Sequence, residues 1–288
     1  MPTLRCNKAK EIGARYEVFN TSMHESTVAR LQLETDLRRA IERMEFLIYY
    51  QPIVSLVTGR VTGFEALVRW QHPQRGLLSP AKFILVAEET GLLSLIDQWV
   101  MREACRQTQQ WSEQMPKDLP LSINVNLANK QFTQPNLIEQ ISQILLETSL
   151  DASRLKLEIT ENVIMEIDET ATTTLLQLKA LGIRLAIDDF GTGYSSLGRL
   201  HSFPIDELKI DRSFVSQVGT DEGNLEIAET ILTLAQKLGV YVTAEGIETA
   251  SQLAQLREFK CAYGQGYFFS RPLPCVAAEA LIIASPQW

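Results

Sequence analysis

Apolar and polar positions follow two repeating patterns along this chain. Short runs rich in valine, isoleucine and leucine predict eight strands, at residues 46–55, 61–69, 120–127, 154–160, 184–189, 207–210, 240–245 and 265–269. Longer stretches with helical spacing predict helices near residues 27–43, 80–89, 92–114, 134–148, 168–181, 195–201, 223–238, 249–258 and 274–284. Such alternation is typical of α/β proteins with a parallel sheet.

The lengths of the connections predict a closed barrel. Only residues 56–60 separate the first two strands, and a turn of this length predicts an antiparallel pair. The other connections are long enough for a crossover, so those strands should be parallel. We therefore predict an α/β fold, a modified TIM-like (β/α)8 barrel with the first strand antiparallel, rather than a doubly wound open sheet. Residues 36–288 would form the barrel, and the polar residues 1–35 an N-terminal linker.

Polar side chains stand at or near the ends of these apolar runs, and most of them are acids. The positions are Glu65, Asn126, Glu158, Asp188, Asp189, Lys209, Glu245 and Gln265. In a barrel of parallel strands these ends converge on the face where active sites lie. Acids brought so close would repel one another, and hard oxygen ligands favour Mg²⁺ or Mn²⁺. The pattern thus predicts a divalent metal site at one mouth of the barrel.

The composition argues against several classes of protein, including nucleic-acid-binding and zinc-binding ones. With 288 residues, 45% of them hydrophobic, the chain can bury a full core. Its net charge of −8 argues against binding a nucleic-acid polymer or a membrane surface. The four cysteines show no CxxC spacing, and none of the three histidines lies at a predicted strand end, so a zinc site is not expected. With no signal peptide or long apolar run, we expect a cytoplasmic domain, which is compatible with a membrane-anchored full-length parent.

Seven ordered motifs resemble one known family. One of them is Glu65-Ala66-Leu67 followed by Arg69, which is similar to the signature of EAL-domain cyclic di-GMP phosphodiesterases. The motifs lie at residues 49–54, 65–70, 157–162, 188–197, 208–215, 244–249 and 265–273. The resemblance runs from about residue 37 to 274 and implies metal-dependent hydrolysis of cyclic di-GMP to linear pGpG. It also implies Mg²⁺ or Mn²⁺ as cofactor, as two ions, with Ca²⁺ inhibitory.

The resemblance also assigns roles to individual residues. The first metal would be held by Glu65, Asn126, Glu158 and Asp188, and the second by Asp189 and Glu245. The catalytic group would comprise Lys209, Glu245 and Glu65. Gln51, Arg69 and Gln265 match positions that meet the substrate, and Glu248 matches a supporting acid. Ala128 stands where the family often has serine, but this position is not a metal ligand.

A glycine-rich loop follows the paired aspartates. It spans residues 191–196 and includes Gly191, Thr192 and Gly193, and the family's loop-anchoring acid matches Glu161. The resemblance implies a homodimer through this loop and the helix after it. Residues 8–19 resemble the last helix and strand of a GGDEF domain, which implies an upstream GGDEF or sensor domain in the full protein.

Two alternatives to an active cyclic di-GMP phosphodiesterase stay open. The first is a receptor module that binds cyclic di-GMP without cleaving it. The presence of every expected ligand and of the loop favours the enzyme. The second is a metal-dependent phosphodiesterase for another nucleotide, since spacing alone does not determine nucleotide preference.

Overall fold

A computed structural model describes residues 21–114, 121–132, 134–166, 169–193, 200, 203–216 and 222–288. The chain divides into two compact units. The first comprises Met1–Phe46 and Trp70–Leu93, and the second comprises Leu47–Arg69 and Ser94–Trp288. No helix among the described residues is both long and apolar enough to cross a membrane.

The first unit is small and has its own aromatic core. Helix α1 spans Thr21–Glu42 and buries Leu33, Leu37 and Ala40. Strand β3 (Gly76–Leu78) pairs antiparallel with the last residues of β2 (Val61–His72), and helix α2 spans Ile84–Glu89. The rings of Phe46, Trp70 and Phe83 pack at centroid distances of 5.7–6.0 Å.

The second unit contains the predicted barrel. Besides β2, its strands are β1 (Phe46–Ser55), β4 (Ser122–Asn126), β5 (Leu155–Thr160), β6 (Arg184–Phe190), β7 (Glu207–Ile210), β8 (Tyr241–Ala244) and β9 (Tyr263–Gly264). The order is β1-β9-β8-β7-β6-β5-β4-β2, and a further β1–β2 pairing closes the ring. Strand β1 runs antiparallel to β9, whereas the ladders from β2 and β4 round to β9 are parallel. The modified (β/α)8 barrel with its antiparallel first strand is confirmed.

Helices follow most of the parallel strands. They are α3 (Leu93–Gln114), α4 (Asn129–Phe132), α5 (Leu137–Thr148), α6 (Glu161–Glu166), α7 (Glu169–Ala180), α8 (Arg212–Val215), α9 (Glu222–Leu238), α10 (Ala250–Glu258) and α11 (Cys275–Ala284). Helix α10 begins with a capping box, in which Thr249 and Gln252 satisfy each other's backbone N–H groups. The cysteines Cys105, Cys261 and Cys275 form no disulfide among the described residues.

Several predicted elements need correction. Residues 265–269 are not a strand, because the eighth strand of the barrel is the two-residue β9 and the chain then turns, with Ser270 N–H bonded to the Gly266 carbonyl. A Cβ at Gly266 would lie 2.1 Å from the Ile247 carbonyl oxygen, and this close approach of two backbones replaces an extended course. Strands β3 and β10 (Leu273–Pro274) were not predicted.

Helix boundaries also differ from the prediction. The segment expected as a helix near 80–89 divides at Phe83 into a 3₁₀ turn, Pro80–Lys82, and α2. Helix α1 begins at residue 21 rather than 27. His72 is the last residue of β2, contrary to the expectation that no histidine ends a strand. The predicted helix at 195–201 lies outside the described residues except for Leu200.

Both faces of the central strands are buried. On β5, Leu155, Leu157 and Ile159 alternate with Lys156 and Glu158, and all five are buried. The apolar set faces one side of the sheet and the charged set faces the other, since successive side chains of a strand point in opposite directions. The barrel interior therefore holds charged groups in place of the branched apolar layers usual for this fold.

Candidate active site

The C-terminal strand ends bring the predicted acids and amides together. Asn126 lies beside Glu158 in the β4–β5 ladder, and Asp188 lies beside Thr160 in the next ladder. Glu245 follows β8 directly. Parallel strands in register deliver these side chains to one mouth of the barrel, as the sequence predicted.

Lys209 occupies the centre of this mouth. Its Nζ lies 2.6 Å from Glu245 Oε1, 2.9 Å from Glu158 Oε2, 3.1 Å from Asp188 Oδ1 and 3.6 Å from Glu65 Oε2. The lysine is completely buried. One ammonium group therefore faces four carboxylates, three more than it can neutralise.

Amide side chains fix both oxygens of Glu65. Asn126 Nδ2 donates to Glu65 Oε1 at 3.1 Å, and Gln265 Nε2 donates to Oε2 at 2.6 Å. Gln265 Nε2 also donates to Gln51 Oε1 at 3.1 Å. Gln265, predicted to meet the substrate, thus also orients the predicted metal ligand Glu65, and Gln51 contacts Gln265.

Sequence reasoning missed Asn124. Its Nδ2 donates to Glu158 Oε1 at 2.7 Å, and its side chain is fully buried. Asn124 precedes Asn126 by two residues on β4, so both point into the barrel. The strand period could have revealed it, because a buried polar residue two positions before a predicted ligand faces the same interior.

Burial and mutual repulsion alter the acidity of the cluster. Burial raises the pKa of Glu158 well above its ordinary value, since Lys209 only partly offsets the cost of a buried charge. Burial, with the charges of Asp188 and Glu65, raises the pKa of Glu245 to about 7 against the opposing effect of Lys209. Burial alone would lower the pKa of Lys209, but the surrounding carboxylates hold it well above its usual value.

The donor set fits divalent cations. One carboxylate oxygen from each of Asp188, Asp189 and Glu245 lies within 4.8 Å of the others, which is one group that could hold an ion. Asp189 has φ of +53°, a left-handed conformation that aspartate tolerates better than most residues. Burial and the neighbouring charge of Asp188 raise the pKa of Asp189. A divalent cation would relieve this repulsion through oxygen ligands alone.

A cleft of about 270 Å³ opens beside the cluster. Gln51, Glu65, Gln265 and Glu248 are among the predicted residues that line it. Sequence reasoning missed other lining residues, which are Leu67, Arg212, Gly246, Gly266 and Tyr267. Nothing in the motifs singled these residues out as functional.

Arg69 is not among the residues that line this cleft. Its guanidinium lies 5.5 Å from the centroid of the Tyr49 ring, and its Nη1 donates to the Val68 carbonyl at 2.8 Å. Burial lowers the pKa of Arg69, in a half-buried position. Its predicted contact with the substrate stays a prediction.

Glu161 holds the start of the glycine-rich loop. Its Oε2 accepts hydrogen bonds from the backbone N–H groups of Gly191 at 2.8 Å and Gly193 at 3.3 Å. Thr192 Oγ1 donates to the Asp189 carbonyl at 2.8 Å. A Cβ at Gly193 would lie 3.0 Å from the Glu161 carboxylate, so a larger residue would press on this anchor. Residues 194–196, on which the dimer prediction depends, lie outside the described part of the chain.

Two known proteins with similar sequences carry the name of cyclic di-GMP phosphodiesterase. Cyclic di-GMP phosphodiesterase NbdA of Pseudomonas aeruginosa is 42% identical over 269 residues, covering 93% of this chain and 34% of that relative. The bifunctional diguanylate cyclase/cyclic di-GMP phosphodiesterase MucR of the same organism is 41% identical over 275 residues, covering 95% and 39%. The chain therefore spans less than half the length of either relative.

Comparison with solved structures points to the same kind of protein as the sequence relatives. A solved structure described as PaMucR phosphodiesterase in complex with c-di-GMP matches with a TM-score of 0.82 and 41% identity, covering 86% of this chain and 99% of that one. The sequence profile of the EAL domain matches residues 34–272. That span includes every residue of the cluster around Lys209, and the chain belongs to the EAL domain family.

Proposed function

We propose that this chain hydrolyses cyclic di-GMP to linear pGpG with Mg²⁺ or Mn²⁺. The observation that carries the proposal is the buried Lys209 among four carboxylates at the barrel mouth, beside an open cleft. The printed names of NbdA and MucR and the c-di-GMP complex of a similar barrel support the choice of substrate.

The cluster divides between two ions in this proposal. Glu65, Asn126, Glu158 and Asp188 would hold one ion, and Asp189 and Glu245 would hold the other. Bound ions supply Lewis acidity, which stabilises negative charge on the phosphoryl group and makes an attacking water more acidic. Ca²⁺ prefers longer and more variable coordination, so it should bind and inhibit.

Side chains of the protein would transfer the proton and bind the substrate. Glu245 and Lys209 touch each other at 2.6 Å, so they can pass a proton between them as the attacking water loses it. Gln265 keeps Glu65 oriented. Gln51 would bind the dinucleotide from inside the cleft, and Arg69 would contact a phosphate of the substrate.

The rest of the full protein is also a proposal. We infer a cytoplasmic domain that forms a homodimer through the 191–196 loop and the following helix. We also infer an upstream GGDEF or sensor domain, in line with the greater length of the relatives and the printed name of MucR.

Product analysis tests the proposal. The purified chain is incubated with cyclic di-GMP and Mg²⁺, Mn²⁺ or Ca²⁺, and the products are separated by chromatography. We expect pGpG with the first two ions only, and none from Glu65→Gln under any ion. Arg102→Ala serves as a control, because this exposed residue pairs with Glu147 on the outer helices. Tight binding of cyclic di-GMP without pGpG under either ion would instead indicate the receptor module.

A further inference from the structure

A second cavity opens at the opposite end of the barrel. Its volume is about 740 Å³, compared with about 270 Å³ for the cleft beside Lys209. Glu207, Tyr241 and Tyr263 in its lining are the first residues of β7, β8 and β9. The cavity therefore lies at the N-terminal strand ends, away from the acid cluster. Its volume is within the range of about 300–1,000 Å³ usual for small-molecule sites.

Two of the three acids that line this cavity, Glu207 and Asp206, already have cationic partners, and the third, Asp151, accepts hydrogen bonds from Ser153. Glu207 pairs with Lys156 at 2.5 Å and accepts a hydrogen bond from Thr243 Oγ1 at 2.8 Å, and all three residues are buried. Asp206 pairs with Lys179 at 2.6 Å and accepts from the Leu185 N–H at 2.8 Å. These carboxylates have little capacity left to bind a cation.

Two arginines in the lining interact electrostatically with one further acid, Asp151, which also lines the cavity. Arg154 and Arg184 form no ion pair with a carboxylate anywhere in the ranges that the structure describes. Arg154 donates one hydrogen bond, from Nη1 to Ser112 Oγ. A guanidinium carries five N–H donors, so most donors of both arginines can still reach a ligand. Because two arginines face the single acid Asp151, the cavity keeps an excess of positive charge and offers forked donors, which suit a phosphate or carboxylate.

Two tyrosines add an aromatic wall. The Tyr241 and Tyr263 rings meet edge to face, with centroids 5.8 Å apart, and Tyr241 is 58% exposed. An exposed aromatic face beside a cationic group can stack a planar ring. Lys156 Nζ, which is paired with Glu207, lies 5.9 Å from the centroid of the Tyr263 ring.

We propose that this cavity binds a nucleoside monophosphate, separately from the acid cluster. The phosphate would lie between Arg154 and Arg184, and the base would stack on Tyr241. The volume, the free donors of the two arginines and the exposed ring each fit one part of such a ligand.

Calorimetric titration with AMP and with GMP tests the proposal. We expect the wild-type chain to bind at least one of them, while adenosine, guanosine and inorganic phosphate alone bind more weakly. Arg184→Ala and Tyr241→Ala should each weaken binding about tenfold or more, since a charge-assisted hydrogen bond or a stacking contact is lost. Both side chains are exposed, so these variants should fold, and their thermal melting verifies this.

Two control variants separate this site from others. Arg102→Ala removes an exposed charge outside the cavity and should bind like the wild type. Arg69→Ala changes the opposite mouth of the barrel and should also bind like the wild type. Absence of binding at millimolar nucleotide, or binding that is lost in Arg69→Ala but kept in Arg184→Ala, would overturn the proposal. Neither result depends on whether the chain cleaves cyclic di-GMP.

Discussion

At the scale of single residues, Lys209 explains how the acid cluster can be buried. Four carboxylates converge on its Nζ within 3.6 Å, and a buried charge without compensation is costly. The sequence allowed this side chain to be placed inside the barrel mouth, because it lies between two buried apolar residues of β7. It did not show that one lysine would touch all four acids, because such contacts depend on strand register and side-chain reach.

Asn124 should act as a positioning residue for Glu158. Asn124→Leu keeps the size of the side chain but removes the donor that holds Glu158 Oε1 at 2.7 Å. Loss of a partner behind a metal ligand typically weakens metal binding by about 10–100-fold. We expect this loss in Mn²⁺ affinity, measured by calorimetry, with an unchanged far-UV circular dichroism spectrum. Asn136→Ala changes an exposed asparagine whose side chain makes no capping bond, and it should bind Mn²⁺ normally. Wild-type affinity in Asn124→Leu would show that this hydrogen bond is dispensable.

Asp97 should make stability depend on pH. Burial on α3 raises its pKa from 3.8 to about 7, and its Oδ2 has no hydrogen-bond partner among the described residues. As the pH rises from about 4 to 7, the unfolded chain releases this proton before the folded chain does, so stability falls across that window and stays lower above it. Asp97→Asn removes this effect and should gain at most about 4 kcal/mol over the wild type at pH 8.

Denaturant unfolding at pH 4.5 and pH 8 measures the Asp97 effect. The difference between Asp97→Asn and the wild type should be small at the lower pH and large at the higher one. Glu113→Gln removes an exposed acid from the same helix and controls for net charge. An equal difference at both pH values would show that Asp97 titrates normally in the folded chain.

At the scale of elements, the eight barrel strands were predictable because their apolar runs are long or clearly bounded. The last one was misplaced, since β9 has only two residues and the following Gly266 lies against the Ile247 backbone. Close backbone contacts between distant segments leave no periodic signal. Strand β3 was missed for a different reason. It has only three residues, and this is too short a run to show the alternation of apolar and polar positions by which a strand is recognised.

The junction of α6 with the end of β6 should control turnover. Glu161→Ala removes the acceptor for the Gly191 and Gly193 N–H groups, and this releases the backbone next to Asp188 and Asp189. A displacement of about 1 Å in a site can cost about 10²-fold in rate. We expect a loss of that order in kcat and weaker Mn²⁺ binding, with cyclic di-GMP affinity in Ca²⁺ changing less.

Glu161→Gln tests whether hydrogen bonding explains that loss. Glutamine keeps one acceptor oxygen, so this variant should recover a large part of the activity lost in Glu161→Ala. Glu139→Ala removes an exposed acid in the first turn of α5 and should be fully active. Equal activity of Glu161→Ala and the wild type would remove the proposed coupling between loop and site.

At the scale of the whole molecule, the two ends of the barrel differ in charge balance. The C-terminal end has more acids than its lysine can neutralise, whereas the N-terminal end pairs Glu207 and Asp206 with lysines and leaves two arginines facing the single acid Asp151. The sequence predicted the first end, because its residues lie in recognisable motifs at strand ends. It did not predict the second, because Arg154, Arg184 and Tyr241 belong to no motif and line one cavity only through the folding together of separate segments.

This imbalance should make the thermal stability of the chain depend on divalent metal. The four acids around Lys209 repel one another until a cation binds, and any ligand that binds only the folded state stabilises it, by about 2.7 kcal/mol at 100 times its Kd. Mg²⁺ or Mn²⁺ at that excess should raise the apparent Tm by roughly 5 °C or more, and EDTA should reverse the rise. Glu158→Gln removes one of the repelling charges, so it should melt at or above the wild-type temperature without metal and gain much less when metal is added. Glu139→Gln should respond to metal as the wild type does. A metal-induced rise that is equally large in Glu158→Gln would place the stabilising ion somewhere other than this mouth of the barrel.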